Sequence, residues 1–210
     1  MQLVFSLFKL GSYLFAGKSL DYNYNGGGLY FSTNNGLNWS LNGFYGKNVW
    51  SLIDYNEYVF LAGTDNGAYF STNSGISWTE MALNCGTISS LAVLGTNYYA
   101  GTYGRGVYRS TNSGLNWNKT SLDTFTVNSV FVFNNKVFAG TLNYGIYQST
   151  DDGINWSHSL SGGNIYCFMA VGNDILAGGS NLYRSTNGGI NWFVIPIGGN
   201  LSSFTKKDSI

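Results

Sequence analysis

One eight-residue pattern occurs five times along this chain. It reads STNNGLNW from Ser32 to Trp39, STNSGISW from Ser71 to Trp78 and STNSGLNW from Ser110 to Trp117. It returns as STDDGINW from Ser149 to Trp156 and as STNGGINW from Ser185 to Trp192. The tryptophans therefore stand 39, 39, 39 and 36 residues apart. A second marker keeps step with them: FAG, LAG, YAG, FAG and LAG end at Gly17, Gly63, Gly101, Gly140 and Gly178. A period near 40 residues means a repeat architecture, in which each unit buries its faces only by stacking on its neighbours.

The box itself reads as a turn. Asp151 in the fourth copy is Asn34, Asn73, Asn112 or Asn187 in the others. A metal loop or a general acid would need the charge. A turn needs only a side-chain oxygen to accept backbone N–H bonds, which Asn and Asp both supply. The glycine two residues on (Gly36, Gly75, Gly114, Gly153, Gly189) supplies a backbone angle that other residues adopt at a cost. Asp151 and Asp152 are thus expected to be structural.

Composition excludes several classes. Charged residues make up 10% of the chain and the formal net charge is zero, so no electrostatic footprint for nucleic acid is present. No apolar run is long enough to cross a bilayer. One histidine, His158, rules out a multi-histidine metal centre, and no cofactor is expected. Cys85 and Cys167 are two repeats apart, so no disulfide is expected; Cys167 reads as buried and Cys85 as a loop thiol. The opening MQLVFSLFKLGSYLFAG lacks a basic leader region. It aligns instead with other repeats: Val4, Ser6 and Leu7 match Val49, Ser51 and Leu52.

Glycine and asparagine punctuate short aromatic and β-branched runs, the all-β pattern. In residues 127–160, VNSVFVF predicts an inner strand A, with a turn at Asn134-Asn135. KVFAG predicts strand B, buried on both faces; GIYQS predicts strand C; INWSHS predicts strand D after the box. Ala139 and Gly140 allow a close neighbour. Four antiparallel strands per repeat make a propeller blade. The tryptophans are expected to be core residues between blades.

Ser-x-Asp/Asn-x-Gly-x-x-Trp, present five times over nearly the whole chain, resembles the Asp-box or BNR repeat. Such boxes occur in sialidases, family 74 xyloglucanases, sortilin-type receptors and the photosystem II stability/assembly factor family. The wider pattern A-G-T-x-x-x-G-x-Y-x-S-T-N-x-G-x-x-W is similar to secreted bacterial repeat proteins. The resemblance implies a propeller whose boxes lie on the C–D turns, away from the ligand face. It also implies an extracellular or cell-surface bacterial protein.

The expected domain spans residues 1–199, with blades at 1–44, 45–84, 85–123, 124–161 and 162–199. Residues 200–210 are an extra strand or tail, because Leu201-Ser202-Ser203-Phe204 copies Ile88-Ser89-Ser90-Leu91. Five blades are expected; a segment of a six- to eight-bladed propeller is the alternative.

With boxes at one end, the B–C and D–A loops form the other. They carry Asp21, Tyr22, Tyr24, Asp65, Tyr103, Arg105 and Tyr144, joined by Phe44, Tyr45, Glu80, Asp123, Phe125 and Asn164. Aromatic faces with amide and carboxylate partners suit a glycan or a peptide. Tyr22, Tyr24, Asp65, Tyr103, Arg105 and Tyr144 are the candidate ligand-binding residues of a monomeric, non-enzymatic binding protein. A glycoside hydrolase is the alternative, with Asp21 and Asp65 as its carboxylate pair; an assembly scaffold is a third reading. A sialidase-like site would need an arginine triad. Of the three arginines, Arg109 and Arg184 occupy matching strand C positions, expected at the blade surface, and only Arg105 lies in a loop.

Overall fold

A computed structural model describes residues 3–10, 12–56 and 59–205. The described residues contain strands and turns and no helix. Among the described residues no helix is long and apolar enough to cross a membrane.

Among the described residues twenty strands form five antiparallel sheets of four, each in chain order from strand A to strand D. The first sheet holds β1 (Val4–Leu10), β2 (Tyr13–Lys18), β3 (Gly28–Ser32) and β4 (Ser40–Gly43). The second holds β5 (Val49–Asn56), β6 (Val59–Thr64), β7 (Gly67–Ser71) and β8 (Thr79–Glu80). The third holds β9 (Ile88–Leu94), β10 (Asn97–Thr102), β11 (Gly106–Ser110) and β12 (Asn118–Lys119). The fourth holds β13 (Val127–Phe133), β14 (Lys136–Thr141), β15 (Gly145–Ser149) and β16 (Ser157–Ser161). The fifth holds β17 (Ile165–Val171), β18 (Asp174–Gly179), β19 (Leu182–Ser185) and β20 (Phe193–Ile195). Residues group into two compact units, Met1–Ala100 with Ser110–Trp117 and Gly101–Arg109 with Asn118–Ile210.

Strand B is the buried centre of each repeat. In β14, Val137, Phe138 and Ala139 are fully buried. Its hairpin from β13 turns at Asn134 and Asn135, whose φ angles of 49° and 58° fit the tight turn that matches strand twist. Strand A carries an irregularity at its second residue in four sheets, between Val4/Ser6, Val49/Ser51, Val127/Ser129 and Ile165/Cys167. Such a bulge re-aims the strand's side chains. In the first unit, the bulged residues Phe5 and Trp50 stack at 4.0 Å.

The glycine ending each FAG-type marker is a seat for the next strand A. A Cβ on Gly17 would lie 2.6 Å from the Val49 carbonyl oxygen. One on Gly63 would lie 2.8 Å from Ile88, on Gly101 2.8 Å from Val127, and on Gly140 2.5 Å from Ile165. Gly178 offers the same seat to Leu201, 3.0 Å from that position, and Leu201 N–H donates to the Gly179 carbonyl at 2.8 Å. Residues 200–205 carry no strand pairing despite this; 206–210 lie outside the described residues. Around these seats Phe15, Leu29 and Val49 form one core cluster, and Phe138, Ile146, Ile165, Ile175, Ala177 and Tyr183 another.

Two sequence expectations need correcting. Cys85 lies in a loop as expected but is buried, whereas Cys167, expected to be buried, is partly exposed; neither forms a disulfide. Burial still pushes the Cys167 thiol up to about 11. Arg109, expected at the blade surface, is half-buried: its Nε is buried without a hydrogen-bond partner, and its head lies 4.0 Å from Asp152. Arg184 is the exposed one, paired with Asp174 at 2.5 Å.

Candidate functional site

Each of the five boxes is a hydrogen-bonded latch. The serine that ends strand C is buried (Ser32, Ser71, Ser110, Ser149, Ser185). Its Oγ accepts the N–H of the box glycine at 2.8–2.9 Å and donates to Asn34, Asn73, Asn112, Asp151 or Asn187 Oδ1 at 2.8–3.0 Å. That same Oδ1 accepts the N–H of the residue before the tryptophan, at 2.8–2.9 Å. The indoles of Trp39, Trp78, Trp117 and Trp156 donate back to the Gly36, Gly75, Gly114 and Gly153 carbonyls at 3.0–3.1 Å. Trp192 donates instead to Ser159 Oγ at 2.8 Å.

The latch needs two consecutive left-handed residues. Asn35/Gly36 have φ 56° and 87°, and Asp152/Gly153 have 58° and 82°. Asp151 is the acceptor and Asp152 the first left-handed residue, so the two carboxylates hold different posts in one turn. Bonds from the Asn155 backbone and side chain and from Ser149 hold the Asp151 carboxyl at about 2. Trp78, Trp117, Trp156 and Trp192 are half-buried, and Trp39 is exposed at 39%. Four of them, all but Trp192, cap their own turns as much as they fill a core, so the expectation of core residues between blades holds only in part.

At the opposite strand ends, threonines close the B–C loops. Thr64, Thr102 and Thr141 are fully buried, and their Oγ1 atoms donate to the Gly67, Gly106 and Gly145 carbonyls at 3.0, 2.7 and 2.8 Å. The sequence reading missed this role, although the recurring A-G-T carried it.

The candidate residues divide between the compact units. Asp21, Tyr22, Tyr24 and Asp65 belong to the first. Asp21 Oδ1 accepts the N–H groups of Asn23 and Asn25, both at 2.9 Å, and so folds its own loop. Asp65 Oδ2 accepts from Asn48 N–H at 3.2 Å and Asn48 Nδ2 at 3.0 Å. Asn48 Oδ1 in turn accepts Leu20 N–H at 2.8 Å. Asn48 thus ties the two carboxylate-bearing loops together. Tyr22 and Tyr24 are 84% and 82% exposed, and Tyr24 is left-handed at φ 62°. Phe44 lies against Tyr69 at 4.7 Å; Tyr45 and Glu80 are exposed.

Tyr103, Arg105 and Tyr144 belong to the second unit. Tyr103 is 67% and Tyr144 54% exposed; Arg105 and Asp123 are exposed. Phe125 stands 4.9 Å from Tyr144 and 5.1 Å from Tyr147, making an aromatic platform. Burial, and then the neighbouring Tyr144, push the Tyr147 hydroxyl up. His158 is exposed, with Nε2 at 2.9 Å from the Tyr144 carbonyl and Nδ1 at 3.2 Å from Ser161 Oγ. Asn164 Oδ1 accepts Asn143 N–H at 2.7 Å. Among the described residues no cluster of three or more His, Cys, Asp or Glu could hold a metal ion.

An ancestral GH74 enzyme superposes with TM-score 0.71 at 23% identity, over 94% of this chain and 32% of that one. YCF48 bound to D1 peptide superposes with TM-score 0.68 at 15% identity, over 92% and 66%. The extracellular domain of the BT4673 hybrid two-component system from B. thetaiotaomicron gives 0.74 at 13% identity, over 95% and 28%. The fold is a β-propeller. Its five four-stranded sheets are five blades. The chain spans less than two thirds of the length of each of these three proteins. At such identities the likeness establishes the propeller and leaves the chemistry to the loops. No family model matches the chain. No curated protein matches it.

Proposed function

We propose that this propeller is a non-catalytic module that binds an extracellular glycan through its B–C and D–A loops. The observation that carries this reading is a division of labour within the loops. Asp21 and Asp65 are engaged as acceptors for loop N–H groups. Tyr22, Tyr24, Tyr103 and Tyr144 are exposed. A hydrolytic pair needs one carboxyl free to protonate a leaving group and the other to serve a nucleophile or water. A sugar-binding surface needs exposed rings to meet C–H faces, with amides nearby for hydroxyls.

An extracellular bacterial location belongs to the same proposal, supported by likeness to the BT4673 extracellular domain. A second reading, peptide recognition by an assembly factor, is favoured by likeness to YCF48 bound to D1 peptide. Parallel glycan and peptide arrays separate the two. The expected result is a glycan signal that Tyr103→Ala or Tyr22→Ala abolishes at unchanged melting temperature. A peptide signal alone would move the assignment to the second reading, and a glycan signal indifferent to all four tyrosines would sink the loop-face site.

A further inference from the structure

A cleft of about 310 Å³ opens between the first two blades at their box ends, away from the loop face. Tyr13, Phe15, Phe31 and Asn42 of the first blade line it, with Ser74 and Ile76 of the second. Its size is that of a small-ligand site. The repeats themselves indicate what belongs there.

In the fourth blade, the residue matching Tyr13 is Lys136. Its Nζ crosses to the Gly188 carbonyl of the next box at 2.9 Å. In the third blade, the residue matching Phe31 is Arg109, whose head reaches Asp152 of the next box at 4.0 Å. Gly188 and Asp152 hold the same box position, the first left-handed residue, with φ 67° and 58°. Ser74 holds that position in the second box, with φ 56°. So two junctions between blades receive a cation from the chain's own preceding blade. A third is packed by Met81, whose sulfur would lie 2.9 Å from a Cβ on Gly114. At the first junction Asn42 Nδ2 reaches the Gly75 carbonyl at 2.6 Å, while Tyr13 and Phe31 bring rings and no charge.

We propose that this cleft binds an organic cation on an alkyl stem, an alkylammonium or alkylguanidinium group, lying between Tyr13 and Phe31 with its head toward Ser74. The stem replaces the methylenes of Lys136 or Arg109. The rings attract the head through their faces. The chain already uses this contact elsewhere: Lys18 lies 5.0 Å over Tyr30, and Lys47 4.8 Å over Tyr69. The source is either a free small molecule or a lysine or arginine side chain of a peptide.

The test titrates n-butylammonium, n-butylguanidinium, neutral n-butanol, phenol and a blocked lysine tripeptide, read from the Ile76 methyl resonance. Both cations are expected to shift it, with n-butanol and phenol at least tenfold weaker. Tyr13→Lys installs the fourth blade's own cation and should abolish the shift while the protein stays folded. Ser74→Asp supplies the carboxylate found at Asp152, at a backbone angle Asp already adopts there, and should tighten cation binding about fivefold or more. A response to free cations without the tripeptide assigns a small molecule as the source; a response to the tripeptide assigns a side chain. Equal response to n-butanol or phenol would overturn the proposal, as would no response to any cation or indifference to both variants.

Discussion

At the scale of residues, the box is a case where five copies in one chain substitute for an experiment. Asn stands at four of the five acceptor positions and Asp at one, so charge is dispensable and an acceptor oxygen is not. The structure supplies the bonds that this pattern implied. Asp151 differs from its four counterparts in being able to titrate. Its folded value of about 2 lies below the ordinary value near 3.8. Its contribution is therefore complete above about pH 4 and is lost as pH falls toward 2. The difference in denaturant midpoint between the native chain and Asp151→Asn, measured from pH 5 to 2, should change over that interval, because the native chain loses more stability than the variant. A constant difference would mean that the carboxylate is not latched. The sequence could not tell how deep the indoles sit, since a repeat period fixes spacing and not depth. Because Trp117 is half-buried, Trp117→Ala should cost about 2 kcal/mol, below the roughly 3–5 kcal/mol of a fully buried aromatic. Ser110→Ala leaves the buried Gly114 N–H and the Asn112 side chain short of a partner, and should cost a comparable 1–3 kcal/mol or so. Chemical denaturation of the two variants ranks them.

At the scale of elements, the strands were legible because period, alternation and punctuation agree in every repeat. The hairpin at Asn134-Asn135, the buried strand B and the box turn all follow from local residues. The glycine seats were half legible: the FAG-type marker suggested close approach, but only packing identifies the occupant as the next strand A. The bulge at the second residue of strand A was not legible, because it is a matter of register with a partner strand. The depth of Arg109 and of the two cysteines was not legible for a related reason. What buries each lies in a contact that linear spacing does not encode. Gly140→Ala tests the seat. A methyl 2.5 Å from the Ile165 Cγ2 must push two strands apart, at roughly 1–3 kcal/mol. Gly104→Ala, where nothing lies within 4 Å, is the control for backbone angle alone, with φ 75°. A seat that yields without cost would give Gly140→Ala the smaller loss in thermal unfolding.

At the scale of the whole molecule, repetition makes five blades and variation between repeats makes function. The box turns are nearly identical from blade to blade, while the loops and the packing at the junctions between blades differ. The candidate loop residues were legible as the variable part of a constant frame. Their states were not, because Asn48, which joins the loops of Asp21 and Asp65, gives no sign of that role in the sequence. Asp65→Asn should preserve any ligand binding and change stability little, since its amide oxygen still accepts the Asn48 bonds. The most direct test follows a mixture of plant and bacterial oligosaccharides by NMR over a day in the presence of the protein, recording saturation transfer and anomeric signals together. Transfer from tyrosine rings to a bound sugar, lost in Tyr103→Ala or Tyr22→Ala, with no new reducing-end signals, is the predicted result. Reducing-end signals that grow with the native chain and stop in Asp65→Asn would contradict it.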